Sequence, residues 1–418
     1  MTAPTASAAT PPIRTALVLA PPVGDRRWIT GLGLGERARR VATRAGFTGD
    51  RLVLVRSADE LRAARGRLTG PLLLLRATDQ VVATPLLDAL ELGRDGTRVA
   101  IDPARADLYA GAIAVDADRA AALVDALIAD FARGDDVVRR DWDDAVTVAI
   151  DPRARHPAAD AAEVKAATAW QWELVNKALD APISRYFYRP LARPLTYLFL
   201  RTPLSPNVIS LISIALSLVG CAIAAGPSPT WHAIGLAILL AGGIVDCNDG
   251  EVARLRLEMS STGAWLDAMG DDLARLALIL GLGLHVGHLH PDLPVTAVMI
   301  AALVMTVASL LLIYWYCVFV IHSSNNQEYT RALEIGPGVR PAGRRTVWQW
   351  LSDVGAQIVR RDAIDIGAAL LALAGLSEVT FSLLSVGALV TLAIVIPTHL
   401  KIVRSLRAKA AAASPQSP

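Results

Sequence analysis

The sequence predicts a multi-domain chain: an N-terminal α/β domain followed by an all-α transmembrane domain of six helices. Three observations carry this reading. Apolar residues make up 53% of the 418 positions, yet long apolar runs recur only after Pro206. Before residue 150, short apolar runs alternate with segments of helical composition, the pattern of a mostly parallel sheet covered by helices. After Pro206, lysine and arginine collect at alternate loops, as in a multi-pass membrane protein. A formal net charge of +2 argues against nucleic acid as a partner.

Residues 1–14 are rich in Ala, Thr and Pro and read as a disordered leader. They lack a basic start followed by an apolar core, so they are not read as a signal peptide, and the first domain is expected to be cytoplasmic. The soluble domain is placed at 15–150. Its strands are expected at Ala16–Ala20, Arg51–Val55, Pro71–Arg76, Val99–Ile101 and Gly111–Val115. Helices are expected at Gly35–Ala45, Ala58–Arg65, Pro85–Leu92 and Ala117–Arg133. The glycines of Gly31–Gly35 (GLGLG) invite a phosphate-binding reading, but they do not directly follow the first strand as that fingerprint requires. Asp141, Asp143 and Asp144 suit a solvated surface turn better than a metal site. The three cysteines, Cys221, Cys247 and Cys317, have neither metal-ligand nor redox spacing.

GLGLGERARRVATRAGFTGDRLVLV followed by LLLLRATDQVVATPLLDAL resembles the inner part of sugar-nucleotide nucleotidyltransferase domains. That resemblance implies a Gly-rich, Arg-containing triphosphate loop after the first strand, then a lysine. Here Pro21, Pro22, Val23, Gly24, Asp25, Arg26 and Arg27 stand in its place with no lysine nearby. The domain is therefore expected to be degenerate; the alternative is that it still makes a CDP-alcohol from CTP.

Residues 151–205 read as a linker and juxtamembrane amphipathic helices. Trp170, Trp172, Tyr186, Phe187, Tyr188, Tyr197 and Phe199 alternate with Lys177, Arg185, Arg189, Arg193 and Arg201, which suits the lipid headgroup region. Pro182, Pro190 and Pro194 are expected to break this stretch into short pieces. The membrane domain is placed at 206–405 and a tail at 406–418. Its six spans are expected at Val208–Ala225, Trp231–Val252, Gly263–Leu284, Val295–Ile321, Ala363–Gly375 and Val379–His399, the fifth short and beginning near Arg361. Basic residues at Arg201, at Arg254 and Arg256, through Arg331–Arg361 and at Lys401–Lys409 mark one side. The loops GPSPT, HVGHLHPDLP and LSE on the other carry none. Both termini are then cytoplasmic and the protein sits multi-pass in the cell membrane. His285, His288 and His290 fall at the opposite face, where a metal site is not favoured.

The most informative stretch runs from Asp246 to Asp271, DCNDGEVARLRLEMSSTGAWLDAMGD. Asp246 and Asp249, three apart, share one face of the second helix; Asp267 and Asp271, four apart, share one face of the third. Two such helices packed antiparallel can aim four carboxylates at one point. Four anions at low dielectric require a cation, and oxygen-only ligands point to a hard divalent ion such as Mg2+ or Mn2+. Such ions serve phosphate chemistry. Gly250, Ala253 and Gly263 leave room for a base or ribose at the helix backbone. A transporter or scaffold is the non-enzymatic alternative, because intramembrane carboxylates also serve ion pathways.

Asp246-x2-Asp249-Gly250-x2-Ala253-Arg254-x8-Gly263-x3-Asp267-x3-Asp271 matches, at every defined position, the signature of the CDP-alcohol phosphotransferases. The resemblance extends from about Lys177 to the C-terminus, with Ser205–Asn207 (SPN) similar to the family's entry to its first span. Lys177-x2-Asp180-x3-Ser184-Arg185-x3-Arg189 and Val359–Asp362 (VRRD) resemble members fused to a nucleotidyltransferase-like domain, such as the bifunctional enzymes that make phosphorylated di-inositol phosphodiesters. What this implies is a homodimer of six-helix subunits using two Mg2+ or Mn2+ ions. It would carry a phospho-alcohol group from a CDP-alcohol donor to a lipid, polyol or polyol-phosphate acceptor, releasing CMP. Asp246, Asp249, Asp267 and Asp271 would be metal ligands, Asp271 also the general base, and Gly250, Ala253, Arg254 and Gly263 the CDP-binding residues. Arg360, Arg361, Lys177 and Arg185 would hold an acceptor phosphate; positive-inside anchoring is the alternative for each. Asp272 lies outside the signature and is expected to pair with Arg275.

Overall fold

The computed structural model describes residues 13–22, 28–92, 96–102, 105–133, 145–175, 182–322 and 360–413. The chain divides into two compact units, one of Met1–Lys177 with Arg254–Leu257, the other of Ala178–Ala253 with Glu258–Pro418.

In the first unit, strands β1 (Thr15–Leu19), β4 (Leu52–Val55), β5 (Leu72–Arg76), β7 (Arg98–Asp102), β8 (Arg105–Val115) and β9 (Val146–Ala149) form one sheet in the order β4-β1-β5-β8-β7-β9. Strand β1 pairs in parallel with β4 and β5, and β7 with β9, whereas β8 runs antiparallel to both its neighbours. The sheet is thus mixed around a parallel core. Alternate residues of β1 serve opposite faces, as strand geometry dictates. Ala16 and Val18 pack with α1 (Leu34–Arg44) through Ala38, Val41 and Ala42. Leu17 and Leu19 pack with α2 (Ala58–Ala64) and with α4 (Ala117–Ala129) through Leu61, Leu123 and Val124. Leu72 to Leu75 are fully buried, each contributing roughly 1.5–3 kcal/mol of apolar transfer energy. Covered on both faces, these strands read as continuous apolar runs.

The GLGLG glycines shape a turn. Strands β2 (Trp28–Ile29) and β3 (Leu32–Gly33) form a hairpin, joined by Thr30 and Gly31 with φ of 49° and 82°. Positive φ at both central residues is what a type I′ turn needs. The altered loop after β1, from Val23 to Arg27, lies outside the described residues, as does the Asp141–Asp144 cluster.

The segment expected to be a linker belongs to this unit's core instead. Strand β10 (Arg155–Pro157) pairs with β6 (Gln80–Val82), and Ala154, Ala158 and Ala167 are fully buried. The last lies on α5 (Ala161–Val175), whose Gln171 accepts a 3.0 Å hydrogen bond from the buried Arg37 of α1. A short helix, α3 (Pro85–Ala89), completes this layer.

The second unit is helical. It opens with a π-turn at Ser184–Tyr188 leading into α6 (Arg189–Phe199). Pro190 and Pro194 do not break this stretch as expected. Pro190 occupies the first turn of α6, where its missing N–H is harmless, and the π-turn absorbs the register change before it. Then follow α7 (Pro206–Ala224), α8 (Pro229–Leu255), α9 (Ser261–Leu289), α10 (Val295–Phe319), α11 (Arg361–Leu373) and α12 (Ser377–Ala413). Among the described residues five of these, α7 to α10 and α12, are long and apolar enough to cross a membrane. The expected fifth span is α11, which begins at Arg361 but has 13 residues. At 1.5 Å per residue that is about 20 Å, short of the roughly 30 Å hydrocarbon core, so a count of six spans does not follow from helix length.

Small residues let the helices close on one another. A Cβ on Gly220 of α7 would strike the carbonyl of Gly235 and the backbone of Leu239 on α8. One on Gly281 of α9 would strike the carbonyl of Cys221. Without a hydrophobic force between helices in lipid, such close approach supplies the packing energy. Ser210, Ser213 and Ser217 lie on the buried face of α7, and the first two turn toward the aspartates of α8.

Candidate functional site

Asp246 and Asp249 sit on α8, and Asp267 and Asp271 on α9. Carboxylate oxygens of Asp246, Asp267 and Asp271 lie within 4.8 Å of one another. Asp249 is not among these three. Its carboxylate accepts from the hydroxyl of Ser210 and from the Gly250 amide, and it is 7% exposed. Ser213 donates to Asp246 at 3.0 Å. Two helices thus bring three of the four expected carboxylates together, and the serines of α7 hold the α8 pair from behind.

Arg361, the first residue of α11, is the cation of this cluster. Its guanidinium ion-pairs with Asp271 and stands 3.5 Å from Asp246 and 3.5 Å from Asp365. It also donates to Ser217 at 3.1 Å. Its side chain is only 12% exposed. Arg360, the N-cap residue of α11, has an exposed side chain 3.7 Å from Asp362. Arg185 is exposed and stacks over the Tyr186 ring. Lys177 lies outside the described residues, and Arg254 lies in the last turn of α8.

Gly263 lies in the first turn of α9, where its amide donates to the capping Ser260 at 3.0 Å. A Cβ there would stand 3.0 Å from the Asn207 side chain, which follows Ser205, the N-cap of α7. The SPN motif and Gly263 therefore meet in space. Asp272 behaves as expected of a structural residue: it is 3.9 Å from Arg275 and accepts a 2.5 Å bond from the Tyr314 hydroxyl.

Sequence reasoning missed a second polar network on the far side of α8. Arg189 of α6 donates to Glu251 at 2.6 Å, and the Thr196 hydroxyl lies 2.7 Å from both Glu251 and Asn248. Glu251 is the residue directly after the Asp249–Gly250 pair, and its charge inside an apolar helix was the available signal. The three histidines expected at the opposite end have separate partners. His285 donates to the Gly226 carbonyl, His288 to that of Leu284, and His290 meets Glu378 at 3.0 Å.

The carboxylate set fits a hard divalent ion. Around one octahedral Mg2+ at about 2.1 Å, adjacent oxygens are about 3.0 Å apart and opposite ones about 4.2 Å, so the three carboxylates would draw closer together to hold one ion. Three convergent carboxylates, with an arginine among them, thus stand on helices long and apolar enough to cross a membrane. Residues 203–331 match the family described as CDP-alcohol phosphatidyltransferase.

A curated relative, "Bifunctional IPC transferase and DIPP synthase" of Rubrobacter xylanophilus, is 39% identical over 108 residues, 26% of this chain and 24% of that protein. The chain thus matches about a quarter of that relative's length. Two solved structures of the Mycobacterium tuberculosis phosphatidylinositol phosphate synthase PgsA1 are 22% identical. One, with CDP-DAG bound, has a TM-score of 0.31 and covers 51% of this chain and 93% of that one. The other, with manganese and citrate, has a TM-score of 0.32 and covers 51% and 89%.

Proposed function

We propose that this chain is an integral-membrane, metal-dependent transferase that moves a phospho-alcohol group from a CDP-alcohol to an acceptor hydroxyl. The observation that carries this is the convergence of Asp246, Asp267 and Asp271 from two apolar helices inside the segment matched to the family. Those three residues, with Asp249, would hold Mg2+ or Mn2+, which supplies positive charge against the diphosphate of the donor. Asp271 takes the proton of the acceptor hydroxyl. The acceptor oxygen then bonds to the phosphorus bearing the alcohol, the bond from that phosphorus to the bridging oxygen breaks, and CMP leaves. Arg254 balances the charge on CMP, and Gly250, Ala253 and Gly263 make room for its nucleoside. Arg361, already bonded to Asp271, is suited to bring an anionic acceptor to the base.

Purified full-length protein is to be incubated with a panel of CDP-alcohols and acceptors, and CMP measured. Metal-dependent CMP is expected from at least one pair, and Asp271→Asn should lower it about 10²–10⁴-fold. No CMP from any pair, or an unchanged rate in Asp271→Asn, overturns the reading.

We further infer six membrane-embedded helices with both termini cytoplasmic, a homodimer, and a nucleotidyltransferase-like first domain that is degenerate. Pyrophosphate release from CTP and an alcohol phosphate would show instead that the first domain is active.

A further inference from the structure

A cavity of about 270 Å³ lies among α9, α10, α11 and α12. Its wall is mostly aliphatic, and two glycines line it. Gly367 of α11 and Gly387 of α12 both line it, and a Cβ on either would meet nothing within 4 Å. Thr306 and Ser309 turn their hydroxyls back to the carbonyls of their own helix, at 2.8 Å each. They leave only carbon facing the cavity. Thr380 does not: its hydroxyl is buried, in a residue 5% exposed, and has no hydrogen-bond partner. A buried hydroxyl left without a partner is unfavourable, so this position awaits an acceptor from elsewhere.

The placement of that hydroxyl defines the ligand. Thr380 lies one turn into α12, at the end of the domain where His290 meets Glu378, opposite the turn that carries the aspartates. From Thr380 the cavity follows α12 to Thr391, a rise of about 16 Å at 1.5 Å per residue. Half of a hydrocarbon core is about 15 Å. Leu383 lines the cavity and is 63% exposed, so the slot opens onto the surface that faces lipid. At its inner end stands Arg275, whose guanidinium is directed to Asp272.

We propose that this slot binds one acyl chain of a bilayer phospholipid from the leaflet opposite the aspartate cluster. The ester carbonyl of the chain accepts from Thr380, its methylenes run past Gly367 and Gly387, and its end reaches the aliphatic stem of Arg275. A water-soluble ligand would have to cross the apolar wall and would leave that wall unmatched. The inference rests on the membrane helices and is independent of the transfer reaction.

The test uses full-length protein in nanodiscs containing phosphatidylglycerol with a diazirine in one chain, near the ester or at the chain end. Illumination is followed by mass spectrometry of labelled peptides. The near-ester probe should label residues around Thr380, and the chain-end probe residues around Arg275 and Ile279. Gly367→Leu and Gly387→Leu each should lower both signals about ten-fold, the factor for 1.4 kcal/mol of lost burial. Thr380→Val should lower near-ester labelling about five-fold. Gly367→Ala and Gly387→Ala, which add one methyl to open space, serve if a leucine variant does not fold and should give a smaller loss. Labelling confined to the outward residues Val386 and Leu389, or unchanged in every glycine variant, overturns the proposal. CMP release measured on the same samples bears only on the reaction.

Discussion

Arg361 compensates carboxylates that could not otherwise share a low-dielectric site. It is bonded to Asp271 and close to Asp246 and Asp365, and removing one partner of such a buried set leaves uncompensated charge. Arg361→Gln should therefore destabilise the helical unit by about 3–5 kcal/mol, read as a lower midpoint in thermal unfolding. Added Mg2+ or Mn2+ should recover part of the loss. In the first unit Glu36 is half-buried, which favours its neutral form, but Arg39 at 2.6 Å and Arg40 at 2.7 Å outweigh that and hold its carboxyl below the ordinary value. A depressed carboxylate adds stability above its unfolded value and loses it as pH falls through the folded one. Glu36→Gln should cost about 0.5 kcal/mol at pH 7, small because the pair is solvent-screened. Wild type and variant should converge in unfolding midpoint as the pH is taken below the carboxylate range.

Helices α7 and α8 meet through glycines because their backbones touch. A methyl on Gly235 would press on the backbone of Ala224 and the carbonyl of Gly220, neither of which can rotate away. Gly235→Ala should cost about 1–3 kcal/mol, the range for overpacking, and should lower any metal-dependent CMP release by moving Asp246 away from α9. Helix α6 is tied to α8 by the Arg189–Glu251 pair, with side chains 10% and 1% exposed. Glu251→Ala takes the carboxylate away from a buried guanidinium, an expected loss of about 3–5 kcal/mol; the double variant Arg189→Met with Glu251→Leu should recover most of it. Unfolding in detergent measures both.

At the scale of the whole molecule, one chain forms an α/β unit and a helical unit with apolar spans, and the carboxylate cluster found among the described residues belongs to the second. A divalent ion that binds only the folded cluster raises the stability of that unit by mass action, about 2.7 kcal/mol at a hundred times its dissociation constant. Scanning calorimetry with Mn2+ should therefore shift the transition of the membrane unit and leave that of the first unit in place. Asp246→Asn should abolish the shift.

Much of this was legible in residues alone, because the signals were local. Apolar runs located α7 to α10 and the buried strands, and the spacing of Asp246, Asp249, Asp267 and Asp271 marked the site, since three- and four-residue offsets project from one side of a helix whatever surrounds it. Three-dimensional packing decided the rest. It set Asp249 against Ser210, placed Arg361 among carboxylates some ninety residues earlier in the chain, and made β10 and α5 part of a core where composition suggested a linker. Those outcomes depend on which surfaces meet. Burial and pairing across long sequence separations leave no periodic trace in the segments that take part, so only the folded chain could settle them.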